Sequence, residues 1–578
     1  MFRSNMRVYV LLLVIFSLHV LSARPVSADQ SKFSGEPLIA NKPKQPAAKA
    51  LHQIIDEQIQ SRQKVDSQSA SPLSSDSEFL RRIYLDLTGR IPSIHQTRDF
   101  LNDSRPDKRT ILVDQLLASP EYARYISQQL DVMLMERLKK KFINVTTWEE
   151  YLRQSVAENK PLDHIIQEIF AADGSDKETQ AAARFYLARN GDVNELTRDI
   201  SRIFLGADLT CAQCHDHPEV QDWKQDHYYG ISAFLIRSFV FTDKKKKQTV
   251  FAEKAEGEVK FESVFEVRDK TSKGPETTLP VVFNGTAIPE PAFKKGEEYE
   301  VKPAKEVRPI PKYSRRAQLG IAITSPQNPR FARTMANRLW DMIMGRGLVH
   351  PLDADHSDNP PSHPQLMDVL TEQMIAHQFD LKWYLRELVL SEAYQRSSTN
   401  DLFKSKAARE LDDSYFTHAI MKPLTPEQFA WAVLEATGQA EIHRKGLKQK
   451  LTEASLRNKL VSYERQFVSL FGGLPGKPVE GFEATADQIL YLSNNQAILG
   501  IISARSGNTA DRMLKIPIEQ SETMADELYL SVLNRHPDQI ETKEVASLLA
   551  GKTGKDRSAM VVDLIWALAM SSEFRFNH

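Results

Sequence analysis

The sequence predicts a mainly α, multi-helix protein, with two helical domains and a small β-rich module inserted between them. Three observations carry this. Apolar residues recur at three and four positions over most of the chain. Ser, Asp, Gly and Pro stand where such runs start and stop. Only residues 242–312 break the pattern, with short alternating runs punctuated by Gly and Pro.

The first residues read as a leader. Arg3 and Arg7 precede an apolar run from Val8 to Val20, and Val26-Ser27-Ala28 offers the small residues that signal peptidase accepts. Cleavage is expected after Ala28, with Ala23 as second choice. The alternative is an uncleaved anchor, but the run is shorter than the ~20 residues that span a bilayer. No later stretch is long and apolar enough to cross a membrane, so a periplasmic or secreted protein is expected. Residues 29–75 read as a flexible arm, a helix from Leu51 to Val65, and a Ser-rich linker ending in a helix cap.

Residues 76–241 form the first helical domain. Phe79, Leu80, Ile83, Tyr84 and Leu87 mark one helix, which Gly89 and Pro92 end. Ser93 caps the next, and Asp107 begins a third through Ile111, Leu112, Leu116 and Leu117. Further helices are expected over Tyr122 to Leu138, Trp148 to Ser155, Leu162 to Phe170 and Thr197 to Leu209. In the β-rich module, strands are expected at 248–251, 258–261 and 279–283. Helical periodicity returns at Arg315, so residues 313–578 form the second helical domain. One pattern occurs twice: a helix, an Arg-X-Pro turn, a helix, and a Ser-X-Glu-aromatic cap. It starts at Ile83 and again at Leu528, and reads as a duplicated helical unit.

A mature chain of this length is too long for one core. With 75 Lys and Arg against 76 Asp and Glu, it lacks the basic excess of a nucleic-acid partner. Lys244 to Lys247 read as a solvated turn. There are two cysteines, Cys211 and Cys214, and His215 follows at once. Disulfide frameworks of exported proteins are spread along the chain, whereas this pair is clustered.

Cys211-Ala212-Gln213-Cys214-His215 reads as a covalent haem c site. Two thioethers would hold the porphyrin and His215 would be the proximal iron ligand. A helix through Leu209 is expected to carry the three residues on one face. The rivals are a local disulfide, a zinc site of Cys211, Cys214 and one or two of His215, His217 and His227, and a thioredoxin-like pair, for which no βαβ pattern is present. Further ligand candidates are His217, His227, Met335 and His363. No Met lies between Cys214 and Met335, unlike a small electron-carrier cytochrome, so an open sixth position would permit ligand binding or peroxide chemistry. Asp353, Asp355, His356, Asp358 and His363 form a second polar cluster, a metal site or, more commonly for such residues, loop and helix-cap contacts. Nothing identifies catalytic residues.

Phe79 to Tyr122, with Arg82-Ile83-Tyr84-Leu85-Asp86-Leu87-Thr88-Gly89-Arg90-Ile91-Pro92, resembles the start of a planctomycete cytochrome-like domain of unknown function. That domain also carries the segment found here at Cys211 to Pro218, then the Trp223 and Tyr228-Tyr229-Gly230 region. Asn328 to Arg333, Asn337 to Trp340, Gly345 to Val349, Asn359 to Pro364, Tyr394 to Ser398 and the close at Ser572 to His578 resemble a second planctomycete domain of unknown function. Larger relatives carry a further cytochrome c domain at the front. This sequence has no second Cys-X-X-Cys-His, so no relay between two haems is expected within it. The expectation is an exported haem c protein with a redox role and a redox partner protein, in one version an extracytoplasmic oxidoreductase. The rival class is a non-redox helical scaffold whose cysteines form a disulfide or hold zinc.

Overall fold

A computed structural model describes residues 49–138, 142–177, 179–283, 285–399, 412–476 and 485–578. The expected leader and the arm of residues 29–48 lie outside these. Among the described residues the fold is mainly α, with small two-stranded antiparallel sheets. No helix there is long and apolar enough to cross a membrane.

The expected caps shape the first helices. Leu51–Val65 is helical as its periodicity requires, burying Leu51, Ile55 and Ile59. The Ser-rich linker ends at Ser75, whose side chain accepts from the Glu78 amide and starts the Asp76–Thr88 helix. Ser93 and Gln96 form a reciprocal capping box at the head of the next helix.

Two apolar cores result. The larger draws on residues from Leu51 to Leu235 and again from Leu319 to Phe416. The second gathers Phe429 to Phe574 and takes in Leu85 and Ile91. The Asp76–Thr88 helix therefore serves both: Phe79, Leu80, Ile83 and Leu87 face one core and Leu85 the other.

The duplicated pattern is present, and the structure adds a third instance. In each, a helix ends at a residue with positive φ, followed by Arg. Two helices follow, and then a Ser whose hydroxyl caps the next helical segment, a long helix in the first instance and a four-residue turn in the other two. The first runs from Asp76–Thr88 through Gly89 and Arg90 to the Ser119 cap. The second runs from Pro329–Met344 through Gly345 and Arg346 to Ser391. The third runs from Ser521–Val532 through Asn534 and Arg535 to Ser571. In the first and third, the Arg reaches both the capping-box residue and the Glu after the capping Ser. Arg90 meets Gln96 and Glu121, and Arg535 meets Glu541 and Glu573. The second instance keeps the backbone plan without those partners, and its sequence echo is correspondingly weak.

The three units meet at buried Asp86. It accepts from Tyr394 Oη (2.9 Å) of the second unit, from Asn577 Nδ2 (2.7 Å) beyond the third, and from Lys422 Nζ (2.7 Å). Lys422 and Asn577 are themselves paired in a two-residue antiparallel bridge. Beside it, Arg82 donates to the Tyr394 and Arg396 carbonyls, and Arg81 to Asn534 Oδ1 and the Phe574 carbonyl.

Residues 238–311 hold the other three small sheets. Ser238–Asp243 pairs with Gln248–Glu253, and the turn between them is the exposed Lys244–Lys247 run. Val259–Phe261 pairs with Glu276–Thr278. The strand expected over 279–283 is displaced to 276–278. Residues 279–283 instead follow the Gln225–Leu235 helix as a loop, with the Val281 amide donating to the Gly230 carbonyl.

Two measurements test this packing. Asp86→Ala takes the paired carboxylate from Lys422, whose ammonium keeps only the Met342 and Ile343 carbonyls, and leaves the Tyr394 and Asn577 donors unpaired. It should lower the unfolding free energy in urea by about 3–5 kcal/mol. Asp131, buried against Trp148 Nε1 at 2.6 Å, has its carboxyl pushed up by burial to about 6. Folding then favours the neutral acid, a contribution present below the unfolded pKa and lost as pH rises through about 6. Asp131→Asn keeps an acceptor for the indole and cannot ionise. Its stability gain over wild type should grow from near zero in acid to about 3 kcal/mol at neutral pH and above.

Candidate functional site

The Cys segment begins where a helix fails to continue. Val193–Leu205 is helical, and Gly206 at φ +62 ends it in a left-handed C-cap. The expected helix through Leu209 is therefore four residues too long. Cys211–Gln213 is instead a 3-10 turn, with the Cys214 amide donating to the Cys211 carbonyl at 3.2 Å. Such a turn stacks residues i and i+3, so Cys211 and Cys214 still share a side. Ala212 is buried in the core and pins the turn, while both cysteines are exposed and unbridged.

His215 Nδ1 lies 2.6 Å from the Asp216 carbonyl oxygen. A carbonyl only accepts, so Nδ1 carries a proton, and in the neutral ring Nε2 is the nitrogen with the lone pair. Phe265 lies flat on the imidazole, with centroids 4.3 Å apart. Asp216 Oδ1 accepts from the Gln225 amide and ties the turn to the Gln225–Leu235 helix. Tyr229, from that helix, donates to the Gln213 carbonyl at 2.7 Å and stacks on Phe261 at 4.3 Å.

The other candidate ligands fall in different settings. His217 Nδ1 accepts from the Val220 amide at 2.9 Å and lies 3.3 Å from the Glu219 amide, which fixes the ring as a cap for its own loop. His217 is not on a helix. His227 Nδ1 accepts from the Lys224 amide, and its ring stacks on Phe283. Both rings thus direct Nδ1 at backbone. Met335 is wholly buried in the larger core. His363 packs on Phe416 with Arg62 and Ser362 at Nδ1, and burial with the nearby Arg62 pulls its pKa down to about 4. Among the described residues, no group of three or more His, Cys, Asp and Glu side chains is arranged to hold a metal ion.

The 353–363 cluster performs loop contacts. Asp355 pairs with Arg333 at 2.9 Å. The backbone of 353–355 docks on the Cys loop: the Asp208 amide donates to the Asp353 carbonyl, and the Asp355 amide to the Gly206 carbonyl. His356 packs edge-on to Trp223, which packs edge-on to His217. Two arginines from the Pro329–Met344 helix cap the carbonyls orphaned at the end of the Val193–Leu205 helix. Arg338 donates to the Arg202 and Ile203 carbonyls, and Arg330 to the Leu205 carbonyl. Sequence reasoning missed these arginines and Phe265. The only available signal was the placement of Arg330 and Arg338 in the resembling motifs.

With this geometry in view, comparison with known families places two domains. Residues 54–238 match the model PSCyt2, described as a protein of unknown function (DUF1549). Residues 315–471 match PSD1, described as a protein of unknown function (DUF1553). The chain thus pairs two domains of unknown function, and the Cys segment lies in the first. No curated protein and no solved structure matches.

Gly230 marks how closely the site is built. A Cβ there would stand 2.7 Å from the Val281 carbonyl oxygen, a backbone atom that cannot rotate away. Gly230→Ala should displace the 279–283 loop and lower the unfolding free energy by about 1–3 kcal/mol, read in urea denaturation.

Proposed function

We propose that the chain is an exported c-type haem protein with a redox role, belonging to a planctomycete type that pairs a cytochrome-like domain with a second domain. One observation carries the reading. The two cysteines of the chain share the side of a single 3-10 turn, exposed as thiols, beside an imidazole whose Nδ1 is already committed. Two thiols and one imidazole with a free Nε2 are the donor set of a covalent haem. Cys211 and Cys214 would supply the thioethers and His215 the axial nitrogen. The Asp216 carbonyl holds the ring orientation and raises the basicity of Nε2. The bound group would supply one-electron chemistry, with a redox partner protein as the second party. Export to the periplasm or beyond, with cleavage after Ala28, provides the compartment in which such attachment takes place.

The rival reading is a helical scaffold in which the two cysteines form a local disulfide or hold zinc. The wholly buried Met335 supports the scaffold in one respect: it serves the core.

The test is a pyridine haemochrome spectrum of mature protein from a host with c-type maturation machinery, taken after acid-acetone extraction. A retained c-type band, lost in Cys211→Ala and in Cys214→Ala, is expected. No haem in the matured protein overturns the reading and turns attention to zinc content and thiol state.

A further inference from the structure

The stretch between the two matched domains contains a segment built against the usual rule for soluble chains. Val264–Arg268 is a five-residue helix with no buried residue. Its apolar side chains face outward: Val264 is 53 % exposed, Phe265 41 % and Val267 52 %. A soluble protein scatters single apolar residues over its surface, but a local group of this kind marks a surface that something covers.

The position of this group is specific. The Val264 amide donates to the Cys214 carbonyl at 3.2 Å, and Phe265 covers the imidazole of His215. The short helix is the tip of the hairpin between Val259–Phe261 and Glu276–Thr278. The stem of that hairpin is fixed, because Phe261 stacks on Tyr229. The tip is not. Lys270 and Gly274 have positive φ, and a Cβ on Gly274 would meet nothing within 4 Å.

On the reading of Cys211, Cys214 and His215 as a haem site, we infer that Val264, Phe265 and Val267 form the apolar wall of that site. Phe265 occupies the place on His215. When a tetrapyrrole is bound, the tip moves as a unit about its fixed stem, and the three side chains pack on the macrocycle instead of facing water. The occupant is a flat apolar ring system because the thiols and imidazole beside the patch are the groups that hold one. The aromatic face already stacked on His215 is of the matching kind.

The experiment uses the full chain made with and without c-type maturation machinery, so that both forms keep native cysteines. The readout is the rate of tryptic cleavage at the exposed Lys270–Thr271 bond, with haem content fixed independently by haemochrome. Packing of the tip on a bound ring should slow this cleavage about fivefold or more in the haem-bearing form, since cleavage follows the population of the open segment. The double variant Val264→Asp, Val267→Asp should retain covalent haem and lose the protection. No residue of this helix is buried, so the variant should keep the wild-type urea midpoint. Haem present with equal cleavage rates in the two wild-type forms overturns the wall and leaves the haem reading intact. No covalent haem in the matured wild type overturns both.

Discussion

One buried carboxylate governs how the helices of this protein come together. Asp86 sits on the helix shared by the two cores and accepts hydrogen bonds from Tyr394, Lys422 and Asn577. Each donor belongs to a different stretch of chain, and a carboxylate has enough lone pairs to serve all three at once. A buried charge of this kind is tolerated only when fully paired, so the three partners must be in register for the carboxylate to be satisfied. The neighbouring Arg81 and Arg82 follow the same plan, donating to carbonyls and an amide of the later units. The helical units are thus joined by specific polar contacts set within apolar packing.

A second joint fixes the Cys segment. When a helix stops at Gly206, its last carbonyls are left without partners. Arg330 and Arg338, from the second matched domain, fill those positions. Burial lowers the Arg338 pKa to about 10, which still leaves it charged at neutral pH and therefore a strong donor. The backbone of 353–355 then docks beside the same turn. The Cys-bearing loop is consequently shaped by both domains, which gives a physical reason for finding them on one chain.

Local signals were legible in the sequence, and contacts between distant segments were not. Ser75, Ser93 and the apolar spacing from Leu51 to Val65 specify their helices through bonds spanning a few residues. The Cys segment was found for the same reason. Its carrier was misjudged because apolar periodicity runs on past Gly206, where a left-handed cap ends the helix. The helix Val264–Arg268 is too short to show a period, and its apolar residues were absorbed into an expected β-rich module. The 279–283 run looked like a strand because it is apolar and β-branched. Its partner is the backbone of Gly230, which no pattern in the run itself could reveal. The second helical unit was hidden because Arg346 lacks the partners that make the other two copies resemble each other.

The contacts at Asp86 also bear on how the chain folds. Its partners lie 308, 336 and 491 residues away in sequence. Bringing the ends of the longest of these loops together in an unstructured chain costs roughly 5–6 kcal/mol in closure entropy. Each helical unit, by contrast, is stitched by contacts over tens of residues and can form without the others. The units should therefore assemble early and separately, with the carboxylate acquiring its full set of donors in a late docking step. Until then, the central helix carries an uncompensated charge on a surface destined to be interior. The same residue that secures the finished protein thus makes its half-assembled forms poor.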